Sequence, residues 1–171
     1  MKTKNLSIAA VLLSLGLVLH LVIPGIFGGM KPDFLLATMF LAIALENSYK
    51  NCIVIAVVAG ILTAVTTVFP AGQIPSVIDK LVSATTFYVT YYYIFRKLNL
   101  NLRMMLSIIL NTVISGIVFL GSAILLTQFT VPGGMTVLLF TVVLPTAFFN
   151  GLFGIFIVRI FKVYKNSNKE K

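Results

Sequence analysis

The stretch Gly28-Gly29-Met30-Lys31-Pro32-Asp33 decides how this chain is read. It is a polar knot between two apolar runs, 6–23 before it and 34–45 after it, and it holds two of the chain's few charges. A second knot, Gln73-Ile74-Pro75-Ser76-Val77-Ile78-Asp79-Lys80, repeats its chemistry: a proline, an aspartate and a lysine at the mouth of an apolar run. The sequence around the knots reads as hydrocarbon-facing helix. Both knots are expected on one side of a membrane, forming the rim of a small-molecule site.

Composition supports the membrane reading. Of 171 residues, 59% are hydrophobic and 10% charged, whereas soluble domains carry about 25% charged residues. Such a chain cannot coat a water-facing sphere. Six apolar runs follow one another, at 6–23, 34–45, 52–69, 77–95, 104–127 and 135–158. A crossing helix needs roughly 20 apolar residues, and these runs are apolar on every side rather than alternating as barrel strands do. The expected fold is an all-α integral membrane protein with six transmembrane helices in one bundle. Its single transmembrane domain covers 1–171, with helices near 6–23, 31–46, 52–69, 76–95, 104–127 and 135–161 and a disordered basic tail at 165–171. The second helix reaches spanning length by starting at Lys31-Pro32, where proline's missing N–H costs nothing.

The net charge of +9 is spread by position rather than gathered on a face. Lys2 and Lys4, Lys50, then Arg96, Lys97 and Arg103, and finally Arg159, Lys162, Lys165, Lys169 and Lys171 fall at the ends and in alternate loops. Of the 13 basic residues, Lys31 and Lys80 alone fall elsewhere. The positive-inside rule then places both termini in the cytoplasm and both knots outside. No basic stripe remains for nucleic acid. The first run is too long for a signal-peptide core and ends in Pro24-Gly25 without a cleavage pattern, so it is expected to stay.

Enzymatic groups are sparse. Cys52 is the one cysteine, which excludes an internal disulfide, and no Cys/His cluster suggests a metal. No Gly-x-Ser-x-Gly elbow occurs. No glycine directly precedes a lysine, so the phosphate-cradling loop that ends in Gly-Lys is missing. The chain is expected not to be an enzyme and to need no cofactor of its own.

Asp33 and Asp79 stand out because a charge inside hydrocarbon costs about 2.5–3.5 kcal/mol. Each has a structural explanation. Asp33 falls in the first turn of a helix, where the dipole favours an anion. Ser76 and Asp79 have the spacing of a capping box. Neither explains the lysine beside each aspartate. A zwitterion fits that pattern: a lysine or a helix N-terminus takes a carboxylate, and an aspartate takes an ammonium. Thr63, Thr66 and Thr67 share one face at the same level, with Gln73 beyond them. Phe27, Phe34, Phe69 and Phe129 are candidates to wall an apolar slot. The candidate ligand contacts are Met30, Lys31, Asp33, Thr63, Thr67, Gln73, Asp79 and Lys80. His20, near the outer end of the first run, divides between interfacial packing and the site. Tyr91-Tyr92-Tyr93 abuts Arg96-Lys97 and reads as an interfacial aromatic belt.

Small residues recur at helical spacing. Ala56, Gly60 and Ala64 do so in the third run, Ala147, Gly151 and Gly154 in the sixth, and Ser7, Ala10 and Ser14 in the first. Such faces let helices approach closely in lipid. The first of these runs offers a docking surface as readily as an internal one.

Gly29-Met30-Lys31-Pro32-Asp33 follows a first run ending His20…Pro24-Gly25. Together with Phe69-Pro70-Ala71-Gly72-Gln73-Ile74-Pro75…Asp79-Lys80 it resembles the bacterial tryptophan transport protein family. The resemblance extends from Lys2-Thr3-Lys4 through the sixth run. That family is grouped with the substrate-binding S-components of energy-coupling factor transporters. The resemblance therefore implies a multi-pass protein of the bacterial cell membrane that captures tryptophan from outside. It also implies partners, a transmembrane coupling subunit and a pair of ABC ATPases that use the ATP. Ala9, Ala10 and Ser14 occupy the region where such proteins dock to the coupling subunit. The alternatives are a stand-alone ion-coupled carrier for an aromatic amino acid or related solute, and a non-transporting membrane scaffold.

Overall fold

The computed structural model describes residues 3–22, 33–45, 48–127 and 134–167, and every regular element among them is helical. Helix α1 spans Thr3–Val22, α2 Phe34–Ala44, α3 Tyr49–Thr66 and α4 Gln73–Val89, which runs into a π-helical turn at Thr90–Ile94. Helix α5 covers Leu100–Thr127. Then α6 (Gly134–Leu138), a second π turn (Leu139–Val143) and α7 (Leu144–Ser167) follow one another without a gap. Three stretches are long and apolar enough to cross a membrane: Tyr49–Thr66, Leu100–Leu126 and Gly134–Phe156.

Helix α2 is the centre of the bundle. It touches α1, α3, α4, α5 and α7, and every residue from Leu35 to Ile43 is buried. A helix apolar on all sides has no face to give to solvent, so it belongs inside. Phe40 stacks on Phe87 of α4 with ring centroids 4.5 Å apart, and Phe87 stacks in turn on Tyr91 at 5.5 Å. Around this core the outer helices expose Val11, Val18, Val65, Leu125, Phe140 and Phe156. That apolar exterior suits lipid.

The small residues work as spacing predicts in two places. A side chain at Gly60 would press on the Val77 backbone of α4 at 3.2 Å, and one at Gly151 would meet Ile109 of α5 at 2.6 Å. In α1, Ser7, Ala10 and Ser14 share an exposed face, while Ala9 points inward and joins the core.

Several helix boundaries differ from expectation by a few residues, and two of the differences bear on the site. Helix α4 begins at Gln73, so Pro75 lies inside its first turn, where no intrahelical N–H bond is lost. Ser76 is therefore a helical residue. Its hydroxyl donates to the Gly72 carbonyl at 2.7 Å, and Asp79 accepts from Ser83 instead of capping anything. The expected capping box is not formed. Helix α2 begins at Phe34 with Asp33 as its N-cap, whose side chain accepts the Leu36 N–H at 2.9 Å. At the other end of the chain α7 continues to Ser167, two residues past the start of the expected tail.

Candidate functional site

The turn after α3 and the N-terminal parts of α2 and α4 converge on one cavity, with walls added by α1, α5, the second π turn and α7. The cavity volume is about 80 Å³, at the mouth of a wider space of about 600 Å³ that includes open solvent. The turn itself is tight. Gly72 N–H donates to the Phe69 carbonyl at 3.0 Å, and Ala71 takes φ of 52°. Because a side chain is strained there, the turn is held by its surroundings, and it holds Phe69 buried against the cavity.

The charged end of the cavity is a triad. Lys80 Nζ donates to Asp33 Oδ2 and to Asp79 Oδ2, each at 2.6 Å. Asp79 Oδ1 accepts from the Ser83 hydroxyl at 2.7 Å. His20 Nδ1 stands 3.6 Å from Asp33 Oδ1. The Asp33 carbonyl accepts from Asn150 Nδ2 at 3.2 Å, and the same amide reaches Thr112 Oγ1 at 3.4 Å. Asp33 thus joins α1, α2, α4 and α7 at one point. Asp79 and Lys80 are each 1% exposed, and buried charges of this kind persist when paired and hydrogen-bonded.

The balance of charge matters for what can enter. Two carboxylates surround one ammonium, which leaves an excess of negative charge among the described groups. Lys80 carries three donor hydrogens, and two of them are committed to aspartates. The triad therefore favours an incoming cationic group and retains one donor for an anion.

The remaining lining is of two kinds. Thr63, Thr67, Ser76, Thr112, Ser115 and Thr146 bring hydroxyls; Phe69, Gly116, Phe119, Val142 and Val143 form an apolar wall. Phe69 and Phe119 meet edge to face at 5.1 Å.

Of the residues expected at the site, Asp33, Thr63, Thr67, Asp79 and Lys80 line this cavity. They lie within it, with Asp79 and Lys80 fully buried rather than on a rim. Gln73 is exposed at the start of α4, outside the lining, and Thr66 bonds back to the Leu62 carbonyl at 2.7 Å. Phe34 packs edge to face on Phe153, away from the cavity. Met30, Lys31, Phe27 and Phe129 lie outside the described residues. Sequence reasoning missed Ser76 as a wall residue, and it missed Ser83, Thr112, Ser115, Phe119, Thr146 and Asn150. One signal was present. Thr112 and Ser115, and Thr146 and Asn150, are polar residues one turn apart inside apolar runs, and such residues face a bundle's interior.

Among the described residues, an all-helical bundle with an apolar exterior and buried charges converging on one cavity has the build of an integral membrane protein with a polar site inside it. The chain belongs to the family described as Tryptophan transporter TrpP, which matches residues 2–166. It is 46% identical over 150 residues to a "Probable tryptophan transport protein" of Bacillus subtilis, covering 88% of this chain and 86% of that one. A protein of the same description from Clostridium acetobutylicum is 41% identical over 154 residues, covering 90% and 89%. One from Clostridium perfringens is 34% identical over 168 residues, covering 92% and 91%. No solved structure gives a significant match.

Proposed function

We propose that this chain is the substrate-binding subunit of a tryptophan importer, crossing the bacterial cell membrane six times with both termini in the cytoplasm. It captures tryptophan from outside and works with a transmembrane coupling subunit and a pair of ABC ATPases of the energy-coupling factor type. The observation that carries the reading is the meeting of Asp33 and Lys80 at 2.6 Å, 47 residues apart in the chain, beside an aromatic wall in a membrane-type bundle. Family membership and the names of the relatives point to the solute.

The ammonium of tryptophan lies against Asp33 and Asp79, where negative charge is in excess. Its carboxylate takes the remaining Lys80 donor and neighbouring hydroxyls, among them Thr63 and Thr67. The indole lies along Phe69, Phe119, Val142 and Val143. Lys80 thus orients the aspartates first and the carboxylate second, a narrower role than its sequence position suggested.

Energy comes from the partner chains, because no phosphate-cradling loop is present in this one. The exposed Ala10 and Ser14 face of α1 suits docking to the coupling subunit, whereas Ala9 supports it from the core side. One observation favours a second reading. A buried histidine 3.6 Å from a half-buried carboxylate is the kind of pair used in proton relays, as a stand-alone ion-coupled carrier requires.

Reconstitution separates the two. The purified chain alone is expected to bind tryptophan, and proteoliposomes to accumulate it when the coupling subunit, the ATPases and ATP are all present. Ser14→Trp should bind as the parent does and lose uptake. Accumulation by the chain alone on an imposed ion gradient would overturn the importer reading and establish the carrier.

A further inference from the structure

Part of the cavity's apolar wall is formed where α5 packs against the second π turn. Gly116 lies on α5, directly after Ser115 and three residues before Phe119, all of which line the cavity. A Cβ at Gly116 would stand 2.5 Å from both Cγ atoms of Val143, far inside carbon–carbon contact. Val143 faces the cavity on one side and packs into a small apolar cluster on the other. It is 3% exposed and packed with Leu120, Leu138 and Val142, and a β-branched side chain on a helix is confined to one rotamer.

The two valines lie in an irregular stretch of backbone. Val142 and Val143 are consecutive, and both are buried and line the cavity. In a regular α-helix successive residues point about 100° apart. Here they end a five-residue π turn, Leu139–Val143, a wider geometry that recurs at functional sites.

We propose that the Gly116–Val143 contact is the size determinant of the pocket, fixing how large an aromatic ring it admits. The inference rests on the reading of this cavity as the tryptophan site. It adds the residues that choose among aromatic solutes, which the charged triad cannot do because every amino acid presents the same ammonium and carboxylate. A methyl group at position 116 takes space from the ring. Removing two methyl groups at position 143 returns it.

The test is a binding titration of the purified chain with tryptophan, phenylalanine and 5-methyltryptophan, with melting temperature as a control for folding. Gly116→Ala is expected to weaken tryptophan about tenfold or more, since one carbon in an apolar pocket is worth that much, and to affect phenylalanine less. Val143→Ala should shift the ratio of 5-methyltryptophan to tryptophan affinity upward by about tenfold. That arm stands even if Gly116→Ala does not fold. The double variant should bind tryptophan better than Gly116→Ala alone. If the parent binds tryptophan while Val143→Ala leaves the ratio unchanged, the size determinant lies elsewhere and the pocket reading stands. If the parent binds none of the three, the pocket reading itself falls, and this inference falls with it.

Discussion

At Asp33 a helix cap and an ion pair share one carboxylate: Oδ1 takes the Leu36 N–H and Oδ2 the Lys80 ammonium. Asparagine caps a helix about as well as aspartate, so Asp33→Asn separates the two roles. It is expected to keep α2 in place while tryptophan affinity falls roughly ten- to a hundredfold, the worth of a charge-assisted hydrogen bond of about 1.5–3 kcal/mol. Unchanged affinity would mean that Asp33 serves the fold alone. Lys80→Ala is a harsher change, because it removes the ammonium that pairs with both the buried Asp79 and the half-buried Asp33. Breaking a buried pair in this way costs about 3–5 kcal/mol, to be read as a large drop in melting temperature. Adding Asp79→Asn to it should recover part of the loss. The sequence marked both aspartates, since charge amid apolar runs needs a reason. It also placed Lys80 beside Asp79. It did not show that Lys80 reaches Asp33, because that contact spans 47 residues and no local spacing encodes it.

Among the elements, α4 and its π turn depart furthest from a plain apolar rod. Asp79, Lys80 and Ser83 occupy its inner face, and the turn at Thr90–Ile94 brings tyrosines inward. Tyr91 is buried under the Arg103 guanidinium, 3.9 Å from the ring centroid. The Tyr92 hydroxyl donates to the carbonyls of Ile43 at 3.2 Å and Ala44 at 3.0 Å, groups that the end of α2 would otherwise leave unpaired. Tyr93 is exposed, so one tyrosine of three keeps the pose expected of a belt. Tyr92→Phe is expected to cost about 1 kcal/mol and to lower the melting temperature, with tryptophan affinity held at the parent value. A parallel loss of affinity would show that the far end of α2 is coupled to the cavity. Helix existence was legible from the apolar runs. The π turns were not, because a five-residue bonding pattern leaves no mark on hydrophobic spacing. Ser76-x-x-Asp79 misled for a related reason: the same spacing that makes a cap places both residues on the inner face of a helix that starts earlier.

At the scale of the molecule, length and composition qualify three stretches among the described residues as spans; the six crossings proposed above require α1, α2 and α4 as well. Helix α2 is short but wholly enclosed, and α4 keeps its charges inside. Cysteine labelling tests the topology, with Cys52 fully buried and so silent in the background. A membrane-impermeant reagent applied outside should modify Gln73→Cys and spare Asn99→Cys, both at exposed positions. The reverse pattern would turn the cavity toward the cytoplasm. The bundle and its orientation could be argued from hydropathy and basic residues, but the cavity could not. It exists because α5 and α7 add hydroxyls and the second π turn adds a valine wall; the polar residues within the last two runs mark an inward side, but nothing in the sequence marks the π turn or says that these sides meet α2 and α4. The central claim is that this cavity reads tryptophan through an excess of negative charge around Lys80. The most direct test is a titration of the purified chain with tryptophan, tryptamine and indole-3-propionate, which keep or remove the ammonium and the carboxylate one at a time. The account predicts that tryptamine, with the ammonium alone, retains more of the tryptophan affinity than indole-3-propionate does. Tight binding of indole-3-propionate with none of tryptamine would contradict it.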